Sequence, residues 1–182
     1  MVFTLWLPIL LSAVALFFAS FLSWMVLPIH KQDWVKMNDE DEFMQKVRDL
    51  GVPNGSYTFP GWDSPEEMKS KEFQKKFEKG PCGIITVYPK VNMGKNLGLT
   101  FAYFLASSFC LGYLATMACD PGAEFMQVFR FVATAGLMTF LSAIVQHAIW
   151  FHNRIIGHVI ESLAYAIITG VIFAALWPAA AA

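Results

Sequence analysis

Charge is scarce over most of this 182-residue chain, and the places it is missing bound what the protein can do. The formal net charge is -1, so the cationic footprint of a nucleic-acid partner is absent. Cysteine is scarce too: Cys82, Cys110 and Cys119 form no CxxC pair, are odd in number, and read as small buried side chains rather than disulfides or zinc ligands. No HExxH is present, and Gly80-Pro81-Cys82-Gly83 lacks the following Lys-Ser/Thr of a phosphate loop. No nucleophile and base are spaced for hydrolysis, and no internal repeat is found. The first 28 residues lack a basic leader and an A-x-A cleavage site, so they are expected to remain as an uncleaved membrane helix.

What the chain has is apolar length. Hydrophobic residues make up 56% and the mean hydropathy is +0.48, well above a soluble domain. Charge is segregated, with 11 of the 13 Lys+Arg and 11 of the 14 Asp+Glu between Lys31 and Lys95. The expected fold is therefore an all-α membrane protein, four transmembrane helices in a compact bundle, with a small α+β lobe inserted between the first and second. The divisions are 1–28 for the first helix, 29–93 for the lobe, and 94–182 for three helices at about 96–118, 124–151 and 154–177.

Within the lobe, Asn38 is the expected N-cap of a helix over DEDEFMQKVRDL, with Phe43, Val47 and Leu50 on its buried side. SYTFP and GIITVY read as strands, and Ser64-Pro65-Glu66-Glu67 as a capping box opening a helix to about Lys79. Two strands and two short helices bury little by themselves, so the lobe is expected to lean on a membrane surface, a copy of itself or another protein. The Lys69–Lys79 run reads either as a binder of anionic lipid or, since acids are interleaved with its lysines, as a solvated face, which is the leading expectation.

Small residues recur every four positions in the apolar helices: Ala15, Ala19 and Ser23; Gly94, Gly98, Ala102, Ala106 and Cys110; Ala135, Thr139 and Ala143; Ala166, Gly170 and Ala174. At that spacing they let helix backbones approach closely in a bilayer. The basic residues place the lobe and the His152–Arg154 turn in the cytoplasm and both termini outside, with Trp6, Trp24, Trp150 and Trp177 at the interfaces. Arg130 is the exception, with Glu124 or Asp120 expected as its partner.

That topology gathers the histidines near one interface. His30, His147 and His158 with Glu161 form a candidate metal or haem site, although the spacing fits no ligand motif and plain interfacial polar residues are the competing reading. Arg154, His158, Glu161, Tyr165 and Thr169 share one face of the fourth helix. This stripe reads either as a proton or solute path or as an internal hydrogen-bonded network. No broken helix or mid-helix proline suggests a transporter.

WMVLPIHKQDW, GVPNGSYTFPG, EMKSKEF, KGPCGIITVYP, MGKNL, QVFRF, HAIWF and ESLAYAIITGVIFAALWP, in that order along nearly the whole chain, resemble an uncharacterised family of small bacterial membrane proteins. The resemblance implies a bacterial inner-membrane protein with a four-helix layout and carries no activity, cofactor or site residue. The leading expectation is a non-enzymatic accessory or scaffolding subunit of a larger membrane complex, or a homo-oligomer. No cofactor and no nucleic acid are expected, with the lipid bilayer and other subunits as partners. The alternatives are a metal- or haem-binding redox protein and a proton or solute pathway.

Overall fold

The computed structural model describes residues 2–180. They form two compact units, one from the chain up to Val35 and from Met93 onward, the other from Lys36–Asn92. In the first unit, a 3-10 turn at Val2–Leu5 leads into helix α1 (Trp6–Phe21), which widens into a π-helical turn at Leu22–Val26. The expected single helix over 2–27 is thus three segments. Leu27 is extended (ψ 143°), as a residue before proline must be, and Pro28 then opens a 3-10 turn ending at His30.

In the second unit, α2 (Glu40–Asp49) is preceded by Asp39 rather than by the expected Asn38. Asp39 sits in the left-handed region at φ 54°, and its side chain makes no capping bond. The expected buried face of α2 stays largely open, with Phe43 39% and Leu50 78% exposed. Strand β1 (Gly55–Phe59) pairs antiparallel with β2 (Gly83–Val87), Tyr57 opposite Ile85. Between them lie α3 (Pro65–Met68) and α4 (Lys71–Lys79) in place of the one helix expected. The break has a cause. Ser70 turns its hydroxyl onto the amide of Phe73 and starts a new helix, while Ser64 caps the first through the amide of Glu67. Phe73, edge-on to Trp62, is the one buried apolar side chain among the described residues of this unit.

The first unit continues with α5 (Met93–Ala118), α6 (Phe125–Phe151) and α7 (Ile156–Ala175). With the Trp6–Val26 stretch these make four helices of 20 to 27 residues, long and apolar enough to cross a membrane. At 1.5 Å per residue the shortest is about 30 Å long. In the most apolar stretch of α6 only 17% of residues are covered by protein, an arrangement that water would penalise and lipid does not.

The four helices pack through two apolar clusters. One is built on Leu5, Ile9, Ala115, Val128, Val132 and Phe173, the other on Ala13, Leu16, Phe104 and Tyr165. Ala166, Gly170 and Ala174 are buried as expected, and a Cβ on Gly170 would meet Ala133 and Phe129 at 3.0 Å. On α5 the expectation fails. The buried face is Phe104, Ser107, Ser108, Leu111, Gly112 and Ala115, because the ring of Phe173 fills the space beside Gly112. The expected Gly94, Gly98, Ala102, Ala106 and Cys110 side is left uncovered, and the last three residues line an apolar groove with Trp6, Leu10 and Phe109. Thr139 and Ala143 of α6 are likewise exposed, its buried positions being Val128, Val132 and Gly136.

At one end of these helices the Trp177 indole donates to the carbonyl of Asp120, and the Gly122 amide to Pro178. Arg130 forms no ion pair among the described residues and lines an open surface cleft with Glu124. The other end carries the histidines.

Candidate metal centre

His30 reaches the core of the first unit because the chain turns back at Leu27–Pro28 and because Gly157 gives it room. Its ring is 5% exposed and lies flat on Trp24, with centroids 4.0 Å apart and planes 6° from parallel. The His158 ring is 4.9 Å from it, tilted by 56°. Glu161, one turn further along α7, is 9% exposed.

Hydrogen bonding fixes the imidazole. His30 Nδ1 lies 2.7 Å from Asp33 Oδ2, and a carboxylate only accepts, so Nδ1 carries the proton and donates. In the neutral ring Nε2 then presents a lone pair. It is buried without a hydrogen-bond partner and lies 3.5 Å from Glu161 Oε2. The other carboxylate oxygen of Glu161 accepts from the Tyr165 hydroxyl, whose ring is held edge-on between Phe104 and Phe140. Thr169 closes the ladder by donating to the Tyr165 carbonyl at 2.8 Å.

The 3.5 Å separation is the informative number. An N–H···O bond would draw these atoms to about 2.9 Å. Two donor atoms each about 2.1 Å from a tetrahedral ion stand about 3.4 Å apart. A lone pair facing a carboxylate in a buried site is relieved either by a metal cation between them or by a proton on Nε2, which makes the contact an ion pair. Imidazole and carboxylate donors of His30, His158 and Glu161 all lie within 4.8 Å of one another, a span that a single ion can gather. Asp33 on His30 and Tyr165 on Glu161 stand where the outer hydrogen bonds that orient metal ligands would stand.

Of the residues expected at this site, the structure brings together His30, His158 and Glu161. His147 stands apart, its exposed ring 4.5 Å from that of Phe151, and His152 is exposed in the left-handed conformation that ends α6. In the expected polar stripe, Glu161, Tyr165 and Thr169 are buried in sequence along α7. Arg154 falls outside it, because it precedes the helix and is exposed, its Nη1 donating to the Gln32 carbonyl at 3.3 Å. Sequence reasoning missed Asp33, Trp24 and Gly157. Asp33 alone had a signal, a carboxylate three residues after a histidine at the end of a span. The cysteines stay out of the centre. Burial pushes the thiol of Cys119 up, with the Asp120 carboxylate adding to it, so it is held as a neutral thiol. No family model, no curated protein and no solved structure matches this chain.

Proposed function

We propose that this chain is a multi-pass membrane protein that binds one divalent transition-metal ion through His30, His158 and Glu161. The observation that carries the reading is the buried, unpartnered Nε2 of His30 facing the Glu161 carboxylate while Nδ1 is held by Asp33. Two imidazoles and one carboxylate suit zinc, iron or copper, and a three-ligand set leaves a coordination position open to water or a substrate. Basic residues at this end of the spans favour a cytoplasmic-side centre in a bacterial inner membrane, with both termini outside. The test is metal analysis of the protein purified without affinity metals, followed by titration with Zn²⁺ and Co²⁺. About one ion per chain is expected in the wild type and none in His30→Ala or Glu161→Gln. A wild-type protein that takes up neither metal at micromolar concentration overturns the reading.

A second reading, assembly with another copy, is favoured by the uncovered Gly98, Ala102, Ala106 and Cys110 side of α5. Such a face carries no charge and can meet its own image across a two-fold axis. Cys110 lies on it, exposed, so oxidative cross-linking in membranes should yield a covalent dimer. If the Cys110→Ser variant yields the same dimer, or the wild type yields none, the face is not an interface between copies.

A further inference from the structure

Beside the candidate metal centre, and sharing Asp33 and Gly157 with it, a cleft of about 500 Å³ opens between the segment after the first span and the start of α7. Its polar lining includes Lys31, Gln32, Asn153 and Arg154, and its apolar side includes Ile29 and Ile156. Asp33 also lines it, but that carboxylate is engaged by His30. No carboxylate pairs with Lys31 or Arg154 among the described residues, and Arg154 uses one donor on Gln32, leaving most of its five free.

We propose that this cleft binds the phosphate group of an anionic membrane phospholipid. Position and chemistry agree on that occupant. Lys31 follows the last residue of the first apolar stretch, Val26, by five positions, and Arg154 precedes α7 by two, so both stand where headgroups lie. Two cations and two amides fit a phosphate, the guanidinium in bidentate fashion, and the isoleucines fit the glycerol end of the acyl chains. Each cation near such a surface strengthens binding about fivefold. The uncapped first turn of α7 adds field of the same sign, and the cleft stands on its side chains without it.

The test is native mass spectrometry of the full chain in detergent with phosphatidylglycerol, phosphatidylcholine or inorganic phosphate added. Wild type is expected to retain phosphatidylglycerol over phosphatidylcholine. The Lys31→Gln/Arg154→Gln double variant should retain it about twenty-five-fold less, and Arg154→Lys should fall between the two, because it keeps the charge and loses the bidentate fork. If inorganic phosphate alone binds and is lost in the double variant, the cleft is a phosphate site whose occupant is the free ion. Equal phosphatidylglycerol retention in wild type and double variant overturns the proposal. A photoactivatable phosphatidylglycerol supplies a readout on the wild type itself, with labelling expected within residues 28–33 and 153–157, and labelling confined to other segments overturning it. Neither cation is a proposed metal ligand, so metal content is expected to stay unchanged in the double variant. A chain that binds lipid but no metal would therefore overturn the metal reading alone.

Discussion

The imidazole of His30 occupies the space that a side chain at Gly157 would take: a Cβ there would stand 2.8 Å from Nδ1 and 2.9 Å from Cε1 of the ring. The carbonyl of Ile29 closes the same gap at 3.2 Å. Position 157 is thereby part of the proposed metal centre although it offers no ligand atom. Gly157→Ala must displace the ring and with it the bond from Nδ1 to Asp33. The expected outcome is loss of the metal ion at a stability cost of about 1–3 kcal/mol, typical of overpacking. Metal analysis beside thermal unfolding checks it, and a fully loaded Gly157→Ala protein would show that His30 is no ligand.

At the proposed metal site, Asp33 would act on the ion only through His30. Asp33→Asn keeps the size of the side chain and can still accept the Nδ1 proton through its amide oxygen, but removes the charge that makes the imidazole a stronger donor to metal. Zinc affinity is expected to fall about 10- to 100-fold with the stoichiometry still one, the range found for outer-shell partners. A competition titration against a chelator of known affinity measures it. Unchanged affinity would assign Asp33 a purely structural part.

Much of this is legible in the sequence. Four apolar runs, the small-residue face of α7 and the placing of His158 and Glu161 on one helix face at i+3 follow from periodicity alone. The uncovered face of α5 was misjudged because periodicity shows that small residues align, not which large residue fills the gap. Phe173 chose Gly112, which lies off the expected stripe. His30 joined the centre through a reversal at Leu27–Pro28, and His147 did not, though it stands closer in sequence to His158. Such long-range choices depend on where backbones cross, which local spacing does not encode. The split of α3 from α4 was legible in principle, since Ser70 is a capping residue with its target three positions on.

Gly98 and Gly170 form a contrast in the membrane helices. A Cβ at Gly98 meets nothing within 4 Å, whereas one at Gly170 meets the Cβ of Ala133 and the ring of Phe129 at 3.0 Å. Gly98→Ala is therefore expected to be neutral or stabilising by about 0.5–1 kcal/mol, the helix-propensity gain. Gly170→Leu should destabilise the α6–α7 pair by about 1–3 kcal/mol or more. Unfolding in mixed micelles compares the two, and equal stability of both variants would mean that α7 does not pack on α6 through this face.

The second unit rests on Phe73, and its removal is the sharpest test of how that unit holds together. Phe73 is 7% exposed, its ring 5.8 Å from Trp62 and 6.2 Å from Phe77, with no other buried apolar side chain among the described residues of Lys36–Asn92. Phe→Ala in a core costs about 3–5 kcal/mol, while a two-stranded sheet with short helices has little stability to lose. Phe73→Ala is thus expected to unfold Lys36–Asn92 while the apolar helices, which make their own core, stay folded. Limited proteolysis in detergent reads this directly, since cleavage should concentrate between residues 36 and 92 and leave the remaining helices intact. Protection of that segment equal to wild type would mean that something outside it, a membrane surface or a second protein, supplies the stability its own core lacks.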